Sequence, residues 1–157
     1  MNDNVTQADN HEIIPWTHAL VIGIELIDNQ HKQLIMLTNE LYRACLRGGT
    51  TLEAVFKETM SRMVEYVRFH FTTEQAMLQR VHYPDYAEHK KEHDSLIKTV
   101  LETTKDYSDG KKFVPNNFVR FLKDWIVSHI GYNDKIYAAY IMDQMKKGLL
   151  TKKYLEG

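Results

Sequence analysis

The chain has 157 residues, 20 Lys and Arg against 21 Asp and Glu, 43% apolar and 26% charged residues, a composition that fits one soluble globular domain able to bury its own core. Seven Gly and three Pro leave little material for a turn-rich β sandwich, and a formal charge of -1 without a basic run gives no footprint for nucleic acid or an anionic membrane. Cys45 stands alone, which excludes an intramolecular disulfide and fits a reducing compartment.

In chain order, residues 1–12 are polar with no apolar period and are expected to be a mobile arm. They lack the basic start and apolar stretch of a secretory signal, and no apolar run is long enough to cross a bilayer, so a cytoplasmic location is expected. From Ile13 to Ile27 the apolar residues are interrupted by Pro15 and Gly23, which predicts an extended segment laid across a core. Asp28 then offers a helix N-cap, and Ile35, Thr38, Tyr42 and Cys45 recur at helical spacing until Gly48-Gly49, predicting a first helix over 28–47.

A second helix is predicted from about Leu52 to Gln79, with Phe56, Met63, Val67 and Met77 on the stripe that holds His70. His82-Tyr83-Pro84 breaks it, and a third helix from Asp85 to Tyr107 carries Leu96 and Val100 on the face of His89. Pro115 suits the first turn of a fourth helix that aligns Phe118, Leu122, Trp125 and Ile126 with His129, and Gly131 is expected to interrupt it. A short terminal helix over Ile136–Leu149 would pack through Ile136, Tyr137, Tyr140, Ile141 and Met145. Four long helices with short connections predict an all-α fold, an antiparallel up-down-up-down four-helix bundle over residues 13–157 with an N-terminal arm and a short C-terminal helix.

The eight histidines are the compositional oddity. The i, i+4 pairs His70/Glu74 and His89/His93 are about as many as this composition yields by chance, so spacing alone is weak. Phase carries more weight. His31, His70, Glu74, His89, His93 and His129 all lie on the apolar stripes of their helices, where uncompensated polar groups cost kilocalories. One such residue alone is best read as a core histidine bonded to a carbonyl, or a glutamate paired with Arg68; six from four helices point to a shared cation. Asp134 lies five residues after His129 and would point about 140° away on an ideal helix, so it joins only if the backbone near Gly131 departs from that geometry. Five imidazoles and two carboxylates exceed one tetrahedral zinc, and no cysteine supports thiolate zinc or an iron–sulfur cluster. Two ions fit the count, and iron, copper, nickel and manganese all suit these donors. With both carboxylates and a solvent oxygen bridging, three histidines would complete one ion at six ligands and two would leave the other at five.

Asp28-x-x-His31, His70-Phe71-x-x-Glu74, His89-x-x-x-His93 and His129-x-x-x-x-Asp134, in this order, resemble the hemerythrins, most closely the single-domain bacterial ones. The resemblance covers about residues 14–140 and includes Trp16. It implies a non-haem di-iron centre that binds O2 reversibly. His89, His93 and His129 would hold the coordinatively full iron, His31 and His70 the open one, and Glu74, Asp134 and an oxo or hydroxo group would bridge. Leu34, Phe71, Trp125, Ile126 and Ile130 would line a dry O2 pocket, and each also reads as bundle core. His11, His18 and His82 read as surface histidines.

The resemblance implies oxygen carriage, storage or delivery to an oxygen-consuming enzyme, by a protein that is a monomer and not an enzyme. The alternatives are O2 or redox sensing, di-iron oxidase or peroxidase-like chemistry, and a metal-free interaction bundle. Oxidase bundles normally carry a Glu-x-x-His motif that is missing beside these residues, and five neutral imidazoles leave less donor charge on the metals than carboxylates do. The metal-free reading leaves several buried polar groups uncompensated.

Overall fold

The structure, a computed structural model, describes residues 10–49, 52–111 and 114–156. The part of the expected mobile arm formed by residues 1–9 lies outside the described residues. Helices α1 (Glu25–Arg47), α2 (Leu52–Arg80), α3 (Tyr86–Ser108), α4 (Pro115–Ser128) and α5 (Lys135–Lys146) account for most of it, with a π-helical turn over His129–Asp134 and 3-10 turns at His18–Leu20 and Lys152–Tyr154. The order of helices is antiparallel. Glu40 meets Arg62 at 2.7 Å and Gln30 meets His70 at 2.9 Å, so residue numbers rise on α1 as they fall on α2. Phe56 opposite Tyr107 and Gln75 opposite His93 give the same result for α2 and α3.

Apolar periodicity explains the packing. Ile27, Leu41, Met63, Met77, Leu78, Leu96 and Leu122, spread over the four long helices, are all within 1% of full burial. Each such side chain stabilises the fold by about 1.5–3 kcal/mol relative to exposure. The segment before α1 adds Ile14, Leu20, Ile22 and Ile24 to the same core. It is held there by Asn39, whose Oδ1 accepts from the backbone N–H groups of Ile13 and Ile14 and whose Nδ2 donates to the Ile14 carbonyl. Cys45 is half-buried against the core, and burial raises its thiol pKa.

Two local expectations are corrected. Asp28 is not the N-cap of α1, which begins three residues earlier at Glu25. Its carboxylate turns back to accept from the N–H groups of Ile22 and Gly23 at 2.9 and 3.0 Å, binding the extended segment to the first helical turn. Gly131 does not interrupt the fourth helix either. Ser128, His129, Asp134 and Lys135 all keep right-handed helical backbone, so α4 continues through the π turn into α5. The extra residue of that turn shifts the register of everything after it, leaving Ile136 45% exposed while Tyr137 and Ile141 are fully buried. Among the described residues no helix is long and apolar enough to cross a membrane.

Candidate metal centre

The bundle brings together, at one level, side chains from the first three long helices and from the π turn that follows the fourth. His31 comes from α1, His70 and Glu74 from α2, His89 and His93 from α3, and His129 and Asp134 from the two ends of the π turn. Asp134 reaches the site because a π turn bonds residue i to i+5 and so stacks those two residues, where an α-helix would set them on different sides. Its Oδ1 lies 3.0 Å from His129 Nε2. A Cβ at Gly131 would meet only the Leu20 side chain, at an ordinary 3.9 Å, so the turn does not depend on a missing side chain there.

Six of the seven groups form two sets that share Glu74. Donor atoms of Glu74, His89, His93 and His129 lie within 4.8 Å of one another, and so do those of His31, His70 and Glu74. Glu74 Oε2 is 3.1 Å from His89 Nε2 and 3.0 Å from His93 Nε2. Asp134 presents Oδ1 to His129 and to His89, the latter at 3.4 Å, and Oδ2 to His31 Nε2 at 3.2 Å. Both carboxylates therefore stand between a three-imidazole set and a two-imidazole set.

Hydrogen bonding does not account for this cluster. His31 Nδ1 and Nε2 and both oxygens of Asp134 are fully buried without a hydrogen-bond partner, although Asp134 lies close to three imidazoles. His93 Nε2 faces His129 Nε2 at 3.0 Å, two nitrogens that satisfy each other only if one holds a proton. Orphaned buried donors and acceptors of this kind cost about 1–3 kcal/mol each, more when charged, and a cation among them removes the cost. The donor set fits a metal pair.

Burial pushes the His70 imidazole down to about 3 and lowers His93, so both favour the neutral form that has a lone pair to donate. Burial also pulls His129 down, but the adjacent Asp134 charge outweighs it and raises it to about 9. Glu74 is held well below the usual carboxylate range because hydrogen bonds from His89 and His93 outweigh its burial. Asp134 is lowered against both burial and the Glu74 charge, chiefly by His129.

A surrounding set of residues orients these groups, and none of it was among the expected site residues. Gln30 Oε1 accepts from His70 Nδ1–H, and Glu92 Oε2 accepts from His129 Nδ1–H at 2.9 Å, which turns each Nε2 inward. The Gln75 amide meets His93 Nδ1 at 3.0 Å, and Asn133 donates to Glu92. Tyr137 donates its phenol proton to Glu74 Oε1; burial and the Glu74 and Asp134 charges raise the phenol pKa well above its ordinary value, keeping the proton in place. Tyr137 was expected only as packing. Each of these contacts joins different helices or spans the π turn, so no spacing within one helix signals it.

Of the residues expected to line a gas pocket, Leu34, Phe71, Ile126 and Ile130 are buried in the common core. Phe71 stacks on His93 with ring centroids 3.6 Å apart and planes 2° from parallel. Trp125 is only half-buried and stacks on His129 at 4.3 Å. His11, His18 and His82 are exposed, as expected. Arg68 is exposed and is not the partner of Glu74.

Residues 22–141 match the model of the hemerythrin HHE cation binding domain. A bacteriohemerythrin of Methylococcus capsulatus is 30% identical over 80% of this chain and 94% of its own length. One from Stenotrophomonas maltophilia is 31% identical over 87% and 84%, and a hemerythrin-like protein of Naegleria gruberi is 27% identical over 78% and 88%. The crystal structure of a wild-type hemerythrin superposes with a TM-score of 0.74 at 30% identity, covering 81% of this chain and 96% of that one. The description of the matched family model is that of a cation-binding domain. With a cation-binding family model spanning most of the chain and a bundle that gathers five imidazoles and two carboxylates at one level, the chain belongs to the hemerythrin family.

Proposed function

We propose that the chain binds O2 reversibly at a non-haem di-iron centre and serves oxygen carriage, storage or delivery. His89, His93 and His129 would hold one iron and His31 and His70 the other. Glu74, Asp134 and a solvent-derived oxo or hydroxo group would bridge them. The observation that carries the reading is the asymmetry of the cluster, three imidazoles on one side of the two carboxylates and two on the other. With shared bridges, that imbalance leaves one coordination position for a small ligand. When bound, the iron pair supplies the electrons that O2 accepts and returns.

The chain's own residues supply the surroundings. Gln30 and Glu92 hold His70 and His129 in the tautomer that donates from Nε2, and Tyr137 holds Glu74 in orientation. Leu34, Phe71, Ile126 and Ile130 keep bulk water from the cluster, which protects a reduced metal pair from irreversible oxidation. The test is an anaerobic reduction followed by readmission of air, read by absorption, with iron counted per chain. Reversible binding predicts a colourless reduced protein, a visible band with air, and bleaching when the gas is removed. Zinc in the site, or only irreversible oxidation, contradicts it.

A further inference from the structure

Toward the apolar end of the bundle, a cleft of about 500 Å³ runs between α2 and α3. Its lining is largely apolar: Phe56 and Met60 are buried, Val64 and Tyr107 are half-buried, and Leu101 is 39% exposed. The Thr104 hydroxyl, also in the lining, already donates to the Val100 carbonyl at 2.8 Å. A concave apolar surface of this volume matches small-molecule sites.

The charges around it are uncommon for these two helices. Arg62 meets Glu40 at 2.7 Å, and Lys90, Lys91, Lys98 and Lys105 meet Asp94, Glu88, Glu102 and Asp109 at 2.5, 2.6, 3.9 and 2.6 Å. Arg80 donates to the Tyr154 carbonyl. On α2 and α3 only Lys57 and Arg68 have no such partner among the described residues, and both line the cleft. Glu65 is the one acid among the described lining residues, and it stands three positions from Arg68 without pairing with it. Two unpaired cations against one acid leave the cleft net positive.

We infer that this cleft binds a single-chain anionic amphiphile of the fatty-acid class, with its carboxylate on Arg68 and its alkyl chain running past Val64, Leu101 and Met60 toward Tyr107. A guanidinium takes a carboxylate through two parallel N–H groups, which the ammonium of Lys57 cannot do, and Arg68 has no acid to release first. The alkyl chain removes from water the apolar surface that Leu101 and Val64 expose. From Phe56 to Arg68 the helix extends about 18 Å, room for an extended chain of about ten carbons behind its head group. None of the seven cluster residues lines this cleft, so the inference stands apart from the function proposed for the metal centre.

The experiment titrates the iron-loaded chain with decanoate by calorimetry, at concentrations where the ligand is monomeric. One saturable site per chain is expected, with decanol and decyltrimethylammonium binding on the order of tenfold more weakly because they lose the charged hydrogen bonds to Arg68. Arg68→Gln should lower decanoate affinity by a similar factor, and Lys57→Gln should change it little. Leu101→Glu, at an exposed position, should abolish binding while the melting temperature stays near that of the wild type. The absorption spectrum of the metal centre should not change as decanoate binds. Absence of saturable binding, equal affinity for the cationic amphiphile, or full binding by Leu101→Glu overturns the inference. So does a spectral change that puts the carboxylate on the metal, or a dimer that Leu101→Glu dissociates, since a second copy would then cover the cleft. A chain that loads no iron contradicts the proposed function and leaves decanoate binding to be read by the same titration.

Discussion

The two ends of the bundle are built from the same four helices and solve opposite problems. At one end Leu41, Phe56, Met60, Met63 and Val100 fill the space between helices with apolar volume, and a cleft of about 500 Å³ between α2 and α3 is lined by Phe56, Met60, Val64, Leu101 and Tyr107. At the other end, five imidazoles and two carboxylates occupy equally buried positions. The apolar end gains stability from removing surface from water. The polar end gains none from burial and depends on what its donor atoms share. One end therefore sets stability, and the other sets what the protein binds at the expense of stability.

Substitutions at the polar end should break this contrast most visibly. His129→Ala removes a donor from the three-imidazole set and Asp134→Ala a carboxylate that stands between the two sets, and iron per chain should fall from two toward none in metal analysis of purified protein. Phe56→Ala, at the apolar end, should cost about 3–5 kcal/mol in denaturant unfolding and leave iron per chain unchanged. Removing the metal with a chelator exposes the imbalance directly. Orphaned buried charges of this kind cost about 3 kcal/mol or more, so calorimetry should record a melting temperature lower by about 10 °C in the metal-free protein. An unchanged midpoint would mean that the cluster is satisfied without metal.

Smaller effects sharpen the same comparison. Glu92→Gln keeps the shape of the contact with His129 but removes its charge, and competition titration should show metal affinity lowered by about 10–100-fold. Gly131→Ala and His82→Ala should leave iron content and melting temperature where they are, because a Cβ at 131 meets only ordinary contact and His82 is exposed. Loss of iron in Gly131→Ala would show that the π turn needs glycine.

What could be read in the sequence follows the same division. His31, His70, Glu74, His89, His93 and His129 were legible because each sits in phase with the apolar stripe of its own helix, a property of one helix at a time. Asp134 was legible only as a residue needing a backbone departure, and the departure is a π turn rather than a break at Gly131. The exposed Ile136 follows from that unread extra residue. Asp28 was read as a cap because its position before an apolar period permits one, whereas its carboxylate serves the chain behind it. Gln30, Gln75, Glu92 and Tyr137 were not legible, since their roles arise from contacts across helices or across the π turn.

The most direct test of the central claim is anomalous X-ray diffraction at the iron edge from crystals of the iron-loaded protein. Two iron peaks are expected, with Glu74 and Asp134 between them, His89, His93 and His129 on one and His31 and His70 on the other. A single peak, or two peaks with Asp134 bound to neither, would contradict it.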